Sequence, residues 1–460
     1  MKKTNLQKRL FGTNGVRGVT NQELSPEFIL KLSYSIGSFF NGGKIIIAYD
    51  GRLSSPMFFY AATSGLIGTG CEVNDAGMMP TPTLQYLIRE WQMDAGLMIT
   101  ASHNPPEYNG VKVVDKDGIE IPRSKEEKIE EIFFEEDYCL FEWDKLGKKI
   151  ARFNGIEEYK KGIKSHVDYE RIKRAKLKVV VDPGNGMGSL ITPYLLRELG
   201  CEVYTINSNV DGNFPGRPPE PTLKNIEQLC NVVKACNASL GIAHDGDADR
   251  TIFVDEVGIA HWGDKSFGII EKDFLSNNPG EEIVTPVSSS KMIEEIADEN
   301  DGKIVWTKVG SINVSRKMQE IKANLGGEEN GGIFYGPHQP VRDGTMAAAL
   351  IVNLMSYKKQ KFSELIKSLP CYYAIKDKIP CPEILKEKVL EILVSKIKGQ
   401  RIELIDGLKI WASNKSWVLI RPSGTEPIFR IFAEANNEKN ALRLAKKYKT
   451  IINQTIKEIK

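Results

Sequence analysis

Three short stretches of this chain hold side chains whose types and spacing suit chemistry. The first is Gly96-Leu97-Met98-Ile99-Thr100-Ala101-Ser102-His103-Asn104-Pro105, an apolar run that ends in a polar turn. Asn104-Pro105-Pro106 bars both helix and further sheet pairing, so Ser102 is expected on a tight, exposed loop where its hydroxyl can act as a nucleophile. His103 can polarise or orient that hydroxyl, and Lys112 can return to the same loop with a positive charge. Taken alone, these residues more readily describe a strand end closed by an Asx-type turn.

The second stretch, His244-Asp245-Gly246-Asp247-Ala248-Asp249-Arg250, places carboxylates on alternate residues after the strand-like Leu240-Gly241-Ile242-Ala243. Hard oxygen ligands so spaced suit Mg²⁺, and Arg250 adds a charge-assisted contact for a phosphoryl group. A calcium loop competes, because Glu256 stands where such a loop has its last ligand. Arg250 at the position that needs glycine, and strand-like flanks, oppose it. The third stretch, Arg421-Pro422-Ser423-Gly424-Thr425-Glu426-Pro427, offers a guanidinium, two hydroxyls and a glycine-opened turn whose amides can face a phosphate. A serine, a hard-cation site and a phosphate clamp together make a set for phosphoryl transfer.

The elements that must carry these loops alternate. Lys44–Tyr49 reads as a strand ending at Asp50-Gly51-Arg52, Gly70-Cys71-Glu72-Val73 as the start of another, and a helix leads on to the strand before Ser102. The plan repeats from Leu177-Lys178-Val179-Val180-Val181 through Gly200-Cys201-Glu202-Val203 to the Asp245 loop, with the Gly-Cys-Glu-Val tetrapeptide at the equivalent place. A third copy runs from Glu282 to Gly332. After Leu369 the order of strands and helices changes to that of a small α+β domain. A chain of 460 residues holds about three or four such domains. The expected fold class is therefore α/β: three tandem α/β domains with mixed, largely parallel sheets and a smaller C-terminal α+β domain, divided at 1–152, 153–255, 256–368 and 369–460.

Charge narrows the function. Lysine and arginine total 62 against 60 acidic residues, so no global field draws the chain to nucleic acid or an anionic membrane. The 7 cysteines form no CxxC pair and no disulfide framework, which reads as reduced thiols in a cytoplasmic protein. The basic start from Met1 is not followed by an apolar signal core, and Met346–Met355 is too short to span a bilayer.

The serine loop, the Asp-Gly-Asp-Ala-Asp-Arg loop and the Arg421 loop, together with Phe11-Gly12-Thr13-Asn14-Gly15-Val16-Arg17-Gly18, closely resemble the α-D-phosphohexomutase superfamily, over essentially the whole chain. The resemblance implies four domains around a central cleft. It also implies Ser102 as a phosphoserine that gives its phosphoryl group to a sugar monophosphate and takes one back from a 1,6-bisphosphate. Asp245, Asp247 and Asp249 would hold Mg²⁺ with the Ser102 phosphoryl oxygen completing the shell, and Arg17, His103 and Lys112 would serve catalysis. Arg250, Lys308, Glu328, Asn330, Arg421, Ser423, Gly424, Thr425 and Arg430 would bind substrate, Arg430 alternatively pairing with Glu434. Asp50 and Arg52 resemble active-site residues, although for Arg52 an ion pair with Asp50 is an equal reading. The pattern departs at Asn330, where serine is usual, and at Gly332, where histidine is usual; His338 and Arg342 lie nearby.

The implied activity is interconversion of a hexose or hexosamine 6-phosphate and 1-phosphate, with hexose 1,6-bisphosphate as intermediate and activator. Thr307-Lys308-Val309-Gly310 resembles the glucosamine-phosphate branch of the superfamily, which is the leading reading, whereas Asp211-Gly212-Asn213-Phe214-Pro215 with Pro219-Glu220-Pro221-Thr222 resembles the mannose- and glucose-phosphate branch. A sugar-phosphate binder without catalysis is the alternative from another class. The partners implied are small sugar phosphates, neither nucleic acid nor membrane, in a monomer or homodimer.

Overall fold

The computed structural model describes residues 9–459 apart from Thr13, Lys398 and Thr425. The chain folds as two compact units, one comprising the chain up to Ser266 with Asn330–Glu364, the other Phe267–Glu329 with Leu365 onward.

In the first unit a six-stranded sheet runs in the order Val16–Val19, Tyr108–Asp115, Ala95–Ile99, Lys44–Tyr49, Glu72–Met78, Lys148–Ala151. Side-chain alternation along its central strands feeds two cores. Ile45, Ile47, Leu97 and Ile99 pack with Ile29, Leu32, Phe58 and Leu66 on one face, while Ile46, Ala48 and Met98 pack with Leu84, Leu87 and Ile88 on the other. Burying each such side chain contributes about 1.5–3 kcal/mol, so the strand bearing Ser102 is anchored from both faces. A second sheet has the order Ala260–His261, Thr251–Asp255, Leu240–His244, Lys178–Asp182, Glu202–Thr205.

The sheets are parallel at their centres and antiparallel where the functional loops lie. Ala95–Ile99 pairs antiparallel with Tyr108–Asp115, and Leu240–His244 antiparallel with Thr251–Asp255. Each connection is too short for the crossover helix, roughly a dozen residues or more, that a parallel return requires. The repeated tetrapeptide also has a structural counterpart. Glu72 pairs with Lys44 and Glu202 with Lys178, each in parallel register, after a glycine in left-handed conformation at Gly70 (φ 78°) and Gly200 (φ 92°).

In the second unit Glu282–Pro286 pairs in parallel with Lys303–Thr307 and Leu325–Gly327. The C-terminal sheet is antiparallel throughout, ordered Tyr373–Pro380, Ile428–Ala435, Ser416–Pro422, Leu408–Ser413, Ile402–Glu403. Helices Lys386–Lys396 and Glu438–Ile459 bury Val389, Leu393, Leu444, Tyr448 and Ile452 in the core they share with it. The fold is thus the expected α/β plus α+β class. Among the described residues no helix is long and apolar enough to cross a membrane.

Candidate active site

The serine loop hangs from one buried arginine. Asp50, at the carboxyl end of Lys44–Tyr49, accepts hydrogen bonds from Ser55 Oγ (2.6 Å), Thr100 Oγ1 (2.6 Å) and Arg52 Nε (3.0 Å). The Arg52 guanidinium then donates to the carbonyls of Ser102 (2.8 Å), Asn104 (2.7 Å), Pro105 (2.6 Å) and Tyr108 (2.9 Å). With Nε on Asp50 and both Nη groups on the loop carbonyls, all its donor nitrogens are engaged within the protein, so Arg52 is scaffold rather than ligand contact. Ser102 itself has φ 51°, a left-handed conformation that costs a non-glycine residue about 1–2 kcal/mol. Its own N–H, bonded to Thr100 Oγ1 at 2.9 Å, and its carbonyl on Arg52 hold it there. The expected exposure is not found: Ser102 is 0% exposed, because the Asp245 loop packs directly upon it. A methyl group at Gly246 would meet the Ser102 carbonyl oxygen at 2.4 Å.

That contact brings the serine to the carboxylates. Ser102 Oγ donates to Asp245 Oδ2 at 3.0 Å and lies 3.4 Å from His103 Nδ1. Asp245, Asp247 and Asp249 are buried, and each offers an oxygen within 4.8 Å of the others. Lys112 Nζ donates to Asp247 Oδ2 (2.6 Å) and Asp249 Oδ2 (3.4 Å), and Arg250 N donates to Asp245 Oδ1 (3.1 Å). Arg17 Nη1 reaches Asn104 Oδ1 (2.8 Å) and the Ala101 carbonyl (3.2 Å). Among the described residues Asp247 Oδ1 and Asp249 Oδ1 are buried without a hydrogen-bond partner, Arg250 Nε standing 3.8 Å from the latter, an arrangement that is costly unless a cation takes those lone pairs. An all-oxygen donor set of this kind fits Mg²⁺. Glu256 takes no part: it accepts from Ser363 Oγ at 2.6 Å, at the far end of Thr251–Asp255, so the calcium-loop reading fails on geometry.

Three contacts here were not legible in the sequence. Thr81 Oγ1 donates to Asp247 Oδ2 (2.6 Å), and Arg342 Nη2 donates to Asp249 Oδ2 (2.6 Å). Arg217 braces the Asp245 loop, donating to Asp182 Oδ2 (2.8 Å) and to the His244 carbonyl (2.6 Å). Of these residues only Arg342 stood out in the sequence, for its nearness to Gly332, and its contact with Asp249 did not follow from that. His338, near the missing histidine at Gly332, is no substitute for it. It is buried with its ring stacked on Tyr86 (4.8 Å between centroids), and burial, then His166 and Arg89, lower its pKa to about 3.

The electrostatics of the pocket are divided. Burial, then Asp249 and Asp247, push Asp245 well above the usual carboxylate range. Burial acts the same way on Asp247, but the charge and hydrogen bond of Lys112 overcome it and hold that carboxyl low. Arg250, then burial and Arg17, keep His103 neutral. Burial brings Arg17 down to about 10 against the pull of Asp247 and Asp249. Arg17, Lys112, Arg250 and Arg342 thus gather around the carboxylates, a field suited to phosphate.

The second unit carries the remaining expected residues. Lys308 is exposed in the loop after Lys303–Thr307, and Glu328 is buried just past Leu325–Gly327. Asn330, which belongs to the first unit, accepts from Gly332 N at 3.1 Å and so holds its own turn. In the Arg421 loop Lys386, absent from the sequence reading, donates from a buried Nζ to the carbonyls of Ser423 (2.5 Å) and Glu426 (2.7 Å), pinning both ends. Ser423 Oγ accepts from Glu426 N (3.2 Å), Gly424 is open on all sides, and Thr425 lies outside the described residues. Arg430 is directly opposite Arg421 across the strands and pairs with Glu426 at 2.6 Å. It does not pair with Glu434, which is buried and accepts from Lys291 N and Trp417 Nε1, both at 2.8 Å.

A serine and a carboxylate triad, each on a strand-end loop of an α/β sheet and ringed by cations, define a phosphoryl-transfer enzyme. Family models for phosphoglucomutase/phosphomannomutase match residues 8–139, 157–258 and 262–373 as α/β/α domains I, II and III, and residues 378–450 as the C-terminal domain. A phosphoglucosamine/phosphogalactosamine mutase of Sulfurisphaera tokodaii is 45% identical, over 96% of this chain and 99% of its own length. A phosphoglucomutase/phosphomannomutase of Thermococcus kodakarensis is 43% identical, over 94% and 96%. Among solved structures, a phosphoglucomutase/phosphomannomutase family protein of Burkholderia thailandensis superposes with a TM-score of 0.87 at 26% identity, covering 97% of each chain. The chain belongs to the phosphoglucomutase/phosphomannomutase family of the α-D-phosphohexomutase superfamily, and is an intramolecular phosphotransferase of the isomerase class.

Proposed function

We propose that this mutase interconverts glucosamine 6-phosphate and glucosamine 1-phosphate through a phosphoserine at Ser102 and a 1,6-bisphosphate. The observation that carries the reading is the Ser102 Oγ to Asp245 Oδ2 hydrogen bond of 3.0 Å beside two buried carboxylate oxygens that accept no hydrogen bond among the described residues. Asp245, Asp247 and Asp249, with the Ser102 phosphoryl oxygen, are the residues to hold Mg²⁺, which when bound would neutralise charge on the transferring phosphoryl group. In the first half-reaction a sugar hydroxyl oxygen attacks the phosphorus and gives up its proton to water, the bond from phosphorus to Ser102 Oγ breaks, and Ser102 Oγ, oriented by His103 Nδ1 at 3.4 Å, takes up a proton as it leaves. The second half-reaction reverses these events at the other end of the bisphosphate. Arg17, Lys112 and Arg250 offset the charge spread over the phosphoryl oxygens. Arg421, Ser423, Gly424 and Thr425, with Arg430, hold the phosphate that is not reacting, while Lys308, Glu328 and Asn330 meet the sugar. Glucose or hexosamine 1,6-bisphosphate would both prime and sustain the cycle.

The glucosamine preference is supported by the name of the 45% identical relative; the 43% identical relative supports broad phosphomannomutase and phosphoglucomutase activity as the second reading. Initial rates on glucosamine, mannose and glucose 6-phosphates decide. A kcat/KM highest for glucosamine supports the lead, and comparable values for the other two sugars overturn it. We assign four domains divided at 152, 255 and 368, a reading supported by the family models, which match residues 8–139, 157–258, 262–373 and 378–450. A cytoplasmic monomer or homodimer is the setting we assign, supported by cysteines that are all free thiols.

A further inference from the structure

Within the second unit one carboxylate joins two loops that are far apart in sequence. Asp406, in the turn before Leu408–Ser413, accepts from Arg421 Nε at 2.6 Å and from the backbone N–H of Val309 at 3.0 Å, both through Oδ2. Val309 follows Lys308, and Gly310 after it has φ 125°, a conformation open to glycine, so the Asp406 contact falls at the point where the chain turns after Lys308. Arg421 is engaged by its Nε side, which orients the planar fork and directs its Nη1/Nη2 edge to any phosphate it meets. Further contacts join the elements on either side of this one. Lys409 Nζ, buried among Trp306 (4.8 Å), Trp411 (5.1 Å) and Trp417 (4.2 Å), donates to the Val287 carbonyl at 3.0 Å. Lys291 N likewise meets Glu434 Oε1 at 2.8 Å.

We propose that Asp406 is a positioning residue that sets the Arg421 phosphate clamp and the Lys308 loop in one fixed spacing, so that a bound sugar phosphate is measured between them. The inference rests on the mutase reading above and adds to it a residue that touches neither substrate nor reacting atoms. Because one oxygen serves both donors, loss of Asp406 uncouples the clamp from the loop without removing either. Asp406→Asn keeps the shape and an acceptor but not the charge, and falls between wild type and Asp406→Ala.

Steady-state kinetics with glucosamine 6-phosphate test it, alongside arginine Nε–H NMR signals of wild type, Asp406→Ala, Arg421→Ala and the double variant. The expected result is a KM raised about tenfold or more in Asp406→Ala with a smaller fall in kcat, an intermediate Asp406→Asn, and no further rise when Asp406→Ala is added to Arg421→Ala. The Nε–H of Arg421, protected from exchange in wild type, should lose protection in Asp406→Ala. An unchanged KM with only a lower melting temperature would overturn the inference, as would additive effects in the double variant. If wild type turns over no sugar phosphate, the mutase reading falls and the kinetic role of Asp406 falls with it. The NMR signal then judges only the hold on Arg421, and an unprotected Nε–H in wild type would overturn that too.

Discussion

Lys112 Nζ lies 2.6 Å from Asp247 Oδ2 with both side chains sealed from water, so the cation of one strand is built into the carboxylate cluster of another sheet. Lys112 stands where it compensates the triad when no metal does. Lys112→Met leaves buried carboxylates uncompensated, and removal of one partner from such a pair costs about 3–5 kcal/mol. The metal-free variant should therefore melt well below wild type, yet gain more from Mg²⁺, while turnover falls by at least about 100-fold. Melting curves in chelator and in Mg²⁺, with rates alongside, check this. An equal Mg²⁺ response in the two proteins would contradict it.

Arg52 supplies a test of loop geometry. Arg52→Lys retains a charge opposite Asp50 but cannot reproduce a fork that reaches Ser102, Asn104, Pro105 and Tyr108 together. Misplacement of the nucleophile by about 1 Å is enough for a loss near 100-fold, so kcat should fall by that order. KM should change little, since Arg52 meets no substrate. A variant with normal kcat would show that the serine loop holds its own shape.

Glu271 provides a pH prediction away from the site. Its side chain is fully buried, neither carboxylate oxygen has a hydrogen-bond partner among the described residues, and burial raises its pKa well above the ordinary value of 4.5. The folded state therefore keeps a proton that the unfolded chain gives up above about pH 4.5. This group's contribution is most favourable below that pH and is lost as pH rises toward the folded value, at about 1.4 kcal/mol per pH unit. Glu271→Met should stabilise the protein, by more at pH 8 than at pH 4. A gain that is the same at both pH values would mean that the carboxyl titrates normally.

How much of this was readable beforehand follows from what each residue contacts. Ser102, the three aspartates and the Arg421 loop announce themselves because their chemistry is local: consecutive residues in one turn make the feature. The strand pattern was legible for the same reason, down to the register shared by Glu72 and Glu202. Arg217, Thr81, Arg342 and Lys386 were not, because each acts on a loop distant in sequence and carries no pattern of its own. The burial of Ser102 was also hidden. A turn closed by two prolines reads as exposed, and only the second loop packing upon it through Gly246 makes it otherwise. Arg430 was divided between two roles, and the pairing across strands, with Glu434 turned into the core, decided against the Glu434 pair.

The account stands most directly on the phosphoenzyme. Purified protein incubated with Mg²⁺ and glucose 1,6-bisphosphate, then freed of ligand, should carry one phosphoryl group that peptide mass spectrometry assigns to Ser102, and should pass it to glucosamine 6-phosphate in a single turnover. Ser102→Ala should take up none and show no turnover. Mutase activity that survives in Ser102→Ala, or a phosphoryl group held on another residue and transferred at the catalytic rate, would contradict the central claim.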